Sequence, residues 1–470
     1  MSKFNNKTTT QTVNLAGGQA YAQNPKLELV SILLTSFMQD KAYRNEKEEV
    51  KRISELVENL DPEFSAKASI FARKEYGMRS VSHLMASLLA KKKFKTKGSK
   101  KGFYKQIVNR TDDITEILAA LSENGTLKGK LNNAMRRGFA LALAELNEYK
   151  LAKYVGAGKA VNLYDAVNLL HPKQTPALNK LMKEGLKNTE TWEAKISAAG
   201  KNEEQASDAW KELLSEGKLG YLALVKNLRN IVTKHPELTD LAIKELTNPE
   251  KIKKSLVLPF RYLDALEELE KIGSSEVRKM IQAISTAIDI SCNNVKEIVS
   301  GNSLVVLDVS GSMSGKPAKI GSIFAAVLAK GVNADLMLFS DYAKYTNYNP
   351  NDSTLTLARS IRFSSGGTNF HSIFETINRK YDRIFILSDM QGWVGNGTPM
   401  KVLSDYKSKY NANPYVYSFD LQGYGSMQFP ETNVFAIAGF SDKVFDTIKM
   451  LETDKNALIN KIESISLTNG

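Results

Sequence analysis

Three stretches late in this 470-residue chain carry side chains able to hold a hard cation. The first is Asp308-Val-Ser310-Gly-Ser312, three oxygen-bearing side chains at alternating positions directly after the apolar run SLVVL. Pro317 follows where the first turn of a helix is expected, and its missing N–H costs nothing there. The second stretch is Gly366-Gly367-Thr368, ahead of a helical pattern, and the third is Asp389 at the end of RIFILS. Carboxylates, hydroxyls and backbone oxygens without nitrogen or sulfur suit an ion that takes six oxygens, Mg²⁺ or Mn²⁺. Two carboxylates just neutralise such an ion, and an open sixth position would accept a carboxylate from an acidic protein ligand. Catalysis is not expected. GSMSG is not a nucleophile elbow, Gly156-Ala-Gly158-Lys159-Ala lacks the upstream Gly and the Ser/Thr of a phosphate loop, and no general base stands free of the cation site.

From residue 303 onward, short apolar or β-branched runs (SLVVLDV, ADLMLFS, RIFILSD, PYVYSFDL, NVFAIAGF) alternate with helical patterns at 317–330, 370–380, 399–410 and 441–452. Such alternation predicts an α/β doubly wound domain, a parallel sheet with helices on both faces. In that architecture ligands bind beyond the C-terminal ends of the strands, where the three oxygen-bearing loops fall. Residues 27 to 297 read differently. Apolar residues recur at three- and four-residue steps in LELVSILLTSFM, ITEILAALSENG, YLALVKNLRNIV and EVRKMIQAISTAI, and Gly77, Gly125, Pro172, Pro236, Pro249 and Pro259 punctuate them. This predicts an all-α domain, an irregular helical-repeat array over residues 1–300, followed by the α/β domain over 301–470.

Charge separates the same two parts. Residues 301–470 hold 16 basic and 15 acidic side chains, so nearly all of the net +13 lies in residues 1–300. Basic side chains gather at Lys91–Lys105, interleaved with Phe94, Phe103 and Tyr104. They gather again at Lys128, Lys130, Arg136 and Arg137, and at Lys150, Lys153, Lys159, His171 and Lys173. A solvated face explains any single lysine run, but three groups on one basic domain point to RNA or DNA. Charge meets phosphate, and rings stack on unpaired bases. The single cysteine, Cys292, excludes a disulfide framework and a Cys-cluster zinc site. No apolar run reaches bilayer length and the N-terminus lacks a secretory apolar region, so no membrane association is expected and the expected compartment is cytoplasmic.

DxSxS with a later Thr and a later Asp resembles the metal-ion-dependent adhesion site of von Willebrand factor A domains. By that resemblance Ser310, Ser312 and Thr368 offer hydroxyls, and Asp308 and Asp389 supply charge directly or through water. A wider resemblance covers nearly the whole chain. NLAGGQAY (14–21), DPEFSAKASIFARKEYGMRSV (61–81), YKLAKY (149–154), ETWEAKISAAG (190–200), LGYLALVKNLRNI (219–231) and LPFRYLDALE (258–267) are similar to the TROVE module of the Ro ribonucleoproteins, in bacterial or phage-borne form. VVLDVSGSM, FSD, GGTNF and ILSDMQGW follow in the order of that family's C-terminal A-type domain. The resemblance implies a monomeric ring of HEAT-like helix pairs closed by the A domain. Small structured non-coding (Y-like) RNA would bind its outer surface, and single-stranded 3′ ends of misfolded RNA its central hole. It further implies RNA quality control beside a 3′ exoribonuclease, without intrinsic catalysis. Lys153 and His171 match family positions that contact RNA, and Arg136 and Arg137 match a basic helix of that surface. The competing reading is a protein-binding adaptor in which the metal site and the helical array grip proteins and the lysines only solubilise.

Overall fold

The computed structural model describes residues 11–36, 43–122, 131–155, 159–186, 191–200, 202–255, 257, 260–292, 301–395, 398–430, 433–437, 448, 454 and 456–468. In chain order a short hairpin, β1 (Gln11–Val13) and β2 (Gln19–Ala22), precedes α1 (Pro25–Thr35). Helices α2 (Glu46–Asn59), α3 (Pro62–Glu75), α4 (Ser80–Leu88), α5 (Ser99–Gln106) and α6 (Thr111–Leu121) follow. Next come α7 (Asn133–Ala144), α8 (Glu148–Ala152), α9 (Leu163–Leu170), α10 (Pro176–Glu184), α11 (Trp192–Ala199) and α12 (Glu203–Ser215). The run closes with α13 (Tyr221–Lys234), α14 (Thr239–Leu246), α15 (Pro249–Lys254), α16 (Phe260–Glu270) and α17 (Ser275–Cys292). The starts are chemically signed. Asp61, Asn132, Asn147, Asn162 and Thr175 each accept a hydrogen bond from an N–H of the first turn of the helix that follows, and Pro62 and Pro176 occupy positions where no donor is needed.

Then come β3 (Ser303–Asp308), α18 (Lys316–Gly331), β4 (Asp335–Phe339), β5 (Ala343–Thr346), α19 (Thr354–Ser360), α20 (Phe370–Thr376) and β6 (Arg383–Ser388). After these run α21 (Met400–Tyr410), β7 (Tyr415–Asp420), β8 (Ser426–Met427), β9 (Val434–Ile437) and α22 (Ala457–Glu463). The six-stranded sheet has the order β5-β4-β3-β6-β7-β9, all neighbours parallel except the antiparallel edge β5. Every residue of β3 is buried, as a strand covered on both faces must be. One face packs Leu304, Val306, Met337 and Phe339 against Phe370 and Phe374 of α20 and Leu403 and Tyr406 of α21. On the other face lies α18, where Phe324 meets Phe419 edge-on at 5.3 Å.

Two compact units emerge, each from discontinuous stretches. One comprises residues 1–35, 40–46 and 214–458, and so holds the mixed sheet, α13–α21 and the N-terminal hairpin, whose β2 pairs with β8. The other comprises residues 36–39, 47–213 and 459–470 and is almost wholly helical. Its core includes Phe103, Tyr104 and Phe139, with Tyr104 Oη donating to Ala86 O at 3.0 Å. Gly138 lets α7 lie on α5, since a Cβ there would stand 2.5 Å from Lys101 O. No described helix is long and apolar enough to cross a membrane.

Candidate metal centre and basic surface

Parallel pairing of β3 and β6 sets Asp308 and Asp389 side by side at the C-terminal edge of the sheet, both fully buried. The chain turns sharply after Asp308, whose Oδ1 accepts the Ser310 N–H at 2.9 Å and whose Oδ2 accepts the Ser388 hydroxyl at 2.5 Å. Ser310 Oγ and Ser312 Oγ lie 3.3 Å apart. Gly311 N donates to Gly366 O at 3.1 Å, which draws the Gly366-Gly367-Thr368 loop onto the serine loop. Trp393 N in turn donates to Thr368 O at 3.1 Å, and Thr368 is buried. A Cβ on Gly367 would stand 2.8 Å from the Trp393 ring and 2.9 Å from Asp341 Oδ1, so only glycine fits. All five residues expected to bind metal thus share one strand edge.

Electrostatics there are one-sided. Burial pushes the pKa of Asp308 up, and burial followed by the Asp308 charge pushes that of Asp389 up. Among the described residues neither carboxylate pairs with a lysine, arginine or histidine. Two buried carboxylates without a basic neighbour call for protons or a cation. Three hydroxyls beside them complete an oxygen-only donor set that fits Mg²⁺ or Mn²⁺. Among the described residues no cluster of three or more His, Cys, Asp or Glu side chains is placed to hold a metal, so this hydroxyl-rich site is a different kind of candidate.

Sequence reasoning passed over several residues here. Asp420 ends β7 as Asp308 ends β3, and the strand-end rule already points at it. Its carboxylate accepts N–H bonds from Gln422 (3.2 Å), Gly423 (2.7 Å) and Gly425 (2.9 Å), fixing a loop whose Gln422 Nε2 donates to Ser312 O (3.1 Å) and Asp389 Oδ2 (3.4 Å). Asp341 accepts the Gly367 N–H at 2.9 Å and steadies the threonine loop.

The basic residues expected to meet RNA lie in the helical unit. Arg136 and Arg137 are exposed on α7, Lys150 is exposed on α8 and half-buried Lys153 caps it. His171 is the C-cap of α9 with φ +50°, a left-handed conformation that ends the helix, and it and the following Lys173 are exposed. Among the described residues none of these six forms an ion pair. Lys92, Lys95, Lys105 and Lys159, by contrast, pair with Glu58, Asp61, Glu145 and Glu116. Lys128 and Lys130 lie outside the described residues.

Beneath this surface is a buried charge cluster with no sequence signature. Asp113 accepts two bonds from Arg73 Nη2 (3.0 and 2.8 Å), lies 2.9 Å from His83 Nε2 and 3.4 Å from Arg79 Nε, and accepts the N–H groups of Asn109 and Arg110. It ties α3, α4 and α6 together.

The TROVE domain family matches residues 178–297. Telomerase protein component 1 of Mus musculus is 28% identical over 117 residues, and that of Rattus norvegicus 28% over 116, in each case 24% of this chain. The match spans only 4% of the length of these curated relatives. The crystal structure of the Deinococcus radiodurans Ro (RSR) protein superposes with a TM-score of 0.59 at 19% identity, covering 91% of this chain and 99% of that one, a likeness of fold. The comparisons thus give a TROVE domain match within the helical part and the fold of a Ro protein along nearly the full length of the chain.

Proposed function

We propose that the protein is an RNA-binding scaffold rather than an enzyme. Small structured, Y-like RNA lies on the α7–α9 face of a HEAT-like ring, and single-stranded 3′ ends of misfolded RNA enter its hole, so that the protein serves non-coding RNA quality control. The observation that carries this reading is the unpaired basic set Arg136, Arg137, Lys150, Lys153, His171 and Lys173 on consecutive helices. Charges that have no internal partner gain most from phosphate, through the counterions that RNA releases on binding. Tyr149, 48% exposed between Glu148 and Lys150, adds a ring able to stack on an unpaired base. Duplex regions would be read by shape and phosphate, loops and ends by splayed bases.

The sheet edge serves as the adhesion site of a von Willebrand factor A-type domain. Asp308, Asp389, Ser310, Ser312 and Thr368 would hold Mg²⁺ or Mn²⁺, which when bound offers a Lewis-acidic position to a carboxylate of an acidic protein ligand. Asp341 and Asp420 keep the two flanking loops in place. A 3′ exoribonuclease is the class of partner that such a scaffold would serve, with the protein acting as a cytoplasmic monomer. The test is filter binding of structured RNA at two salt concentrations with Lys153 and His171 reversed to glutamate. Loss of binding with the fold intact supports the scaffold; unchanged binding rejects this surface and favours the protein-adaptor reading, to which the acid-paired lysines at 92, 95 and 105 are equally suited.

A further inference from the structure

A cavity of about 440 Å³ opens beside Trp393, inside the compact unit that holds the mixed sheet. That volume is within the usual range of a small-ligand site. One wall is the β1–β2 turn, with Gly17 and Gly18, and the other is the chain from Gly392 to Gly395 that follows β6. Hydrogen bonds tie the two walls together. Buried Asn14 donates through Nδ2 to Gly392 O at 2.6 Å, across 378 residues of sequence, and Leu15 N donates to Gln391 Oε1 at 2.8 Å. A Cβ on Gly18 would stand 2.7 Å from Trp393 Cα, so the approach requires glycine. Trp393 N and Val394 N both donate to Thr368 O, at 3.1 and 3.3 Å, which holds the indole segment.

Two polar atoms on the lining lack partners. Gln428 is 2% exposed, and its Nε2 donates to Met390 O at 3.0 Å, which fixes the amide with Oε1 as the open acceptor. Among the described residues no donor reaches that Oε1. His371 Nδ1 is buried without a partner, against Gly395. Polar atoms left unpaired in a buried wall are uncommon, and a ligand that satisfies one gains by doing so. Trp393 is 53% exposed and offers a flat π surface. No lysine, arginine, aspartate or glutamate lines the cavity, so the lining selects for flatness and an N–H donor rather than for charge.

We propose that this cavity is a nucleobase pocket: the base stacks on Trp393, and its amino group donates to Gln428 Oε1. Stacking accepts any base, whereas the amide prefers one that carries an amino group. The base belongs either to a free nucleotide or to an unpaired position of RNA, and the chemistry at the pocket is the same. The proposal rests on neither the basic α7–α9 face nor the metal reading, since none of those residues lines the cavity.

Full-length wild type, Trp393→Phe and Trp393→Leu are titrated with adenosine and with purine riboside, which lacks only the amino group, by saturation-transfer difference NMR. Neither nucleoside carries a phosphate, so basic side chains elsewhere do not retain them. The expected result is adenosine binding by wild type with the strongest transfer at the base protons. Trp393→Leu binds about fivefold or more weakly, and Trp393→Phe, which keeps a ring, falls between. Wild type binds purine riboside about fivefold or more weakly than adenosine, because Gln428 Oε1 then lacks its donor. A short oligoadenylate identifies the source: weakening by Trp393→Leu in parallel with adenosine assigns the base to RNA, weakening for adenosine alone to a free nucleotide, and both support the pocket. No adenosine binding by wild type, or equal binding by wild type and Trp393→Leu, overturns it. Equal affinity for the two nucleosides overturns the assignment to a nucleobase. If Trp393→Leu melts more than about 2 °C early, that comparison on wild type decides alone.

Discussion

Replacing Asp113 by alanine strands a buried guanidinium. The Arg73 side chain is 4% exposed and Asp113 fully buried, and Arg73 gives both of its carboxylate bonds to this one residue. The same change removes the acceptor for two backbone N–H groups at the start of α6 and the partner of His83. Breaking a buried pair by deleting one member costs about 3–5 kcal/mol, most of it the penalty of the charge left behind. For a unit of this size about 1 kcal/mol moves the melting temperature by about 2–4 °C, so a fall of roughly 6–20 °C is expected. The pH dependence has a definite sign. The bonds from His83, Arg73 and the two N–H groups outweigh burial and hold the Asp113 pKa well below the usual carboxylate range. A group depressed in the folded state stabilises above its unfolded pKa, and that contribution disappears as pH falls through the folded value. Melts followed by far-ultraviolet circular dichroism should therefore show a constant gap between wild type and Asp113→Ala from neutrality down to about pH 4, closing only in stronger acid. A drop below about 2 °C at pH 7, or a gap that closes between pH 7 and 5, would refute the reasoning.

Two other outcomes follow from the sites. Reversing Lys153 and His171 to glutamate should weaken structured-RNA binding by about tenfold or more and lower the slope of log affinity against log salt by about 1 to 2, with an unchanged melting temperature, because neither residue is buried. Asp308→Ala should abolish Mn²⁺ binding in calorimetry yet leave RNA affinity within about twofold, since the unpaired basic residues lie in the other compact unit; a parallel loss of RNA binding would mean that the two units are coupled.

The five strands of the C-terminal part were legible because each is a short apolar run closed by a loop: SLVVLD, DLMLF, RIFILS, YVYSFD and VFAI all form strands there. Edge strand β5 escaped because AKYT, partly exposed along its length, has no apolar run to betray it. Sheet β1-β2-β8 escaped for another reason: QTV and QAYA are too short to signal, and β2 finds its partner at Ser426–Met427, some 400 residues away. The expected helix at 441–452 lies almost wholly outside the described residues. Asp308 and Asp389 could be read from strand ends alone, and Asp420 obeys the same rule. Asp113 could not, because its role is made by partners that only the tertiary fold brings near. Composition likewise counts Lys92, Lys95 and Lys105 as free charge, whereas acids brought near by the fold pair with them.

The central claim is RNA binding, and its most direct test is to purify the protein from its native host at modest salt and sequence the RNA that accompanies it. The scaffold reading predicts one abundant structured species together with truncated or misfolded transcripts, all released as salt is raised. Recovery of no RNA above background would contradict it and leave a protein-binding adaptor as the better account.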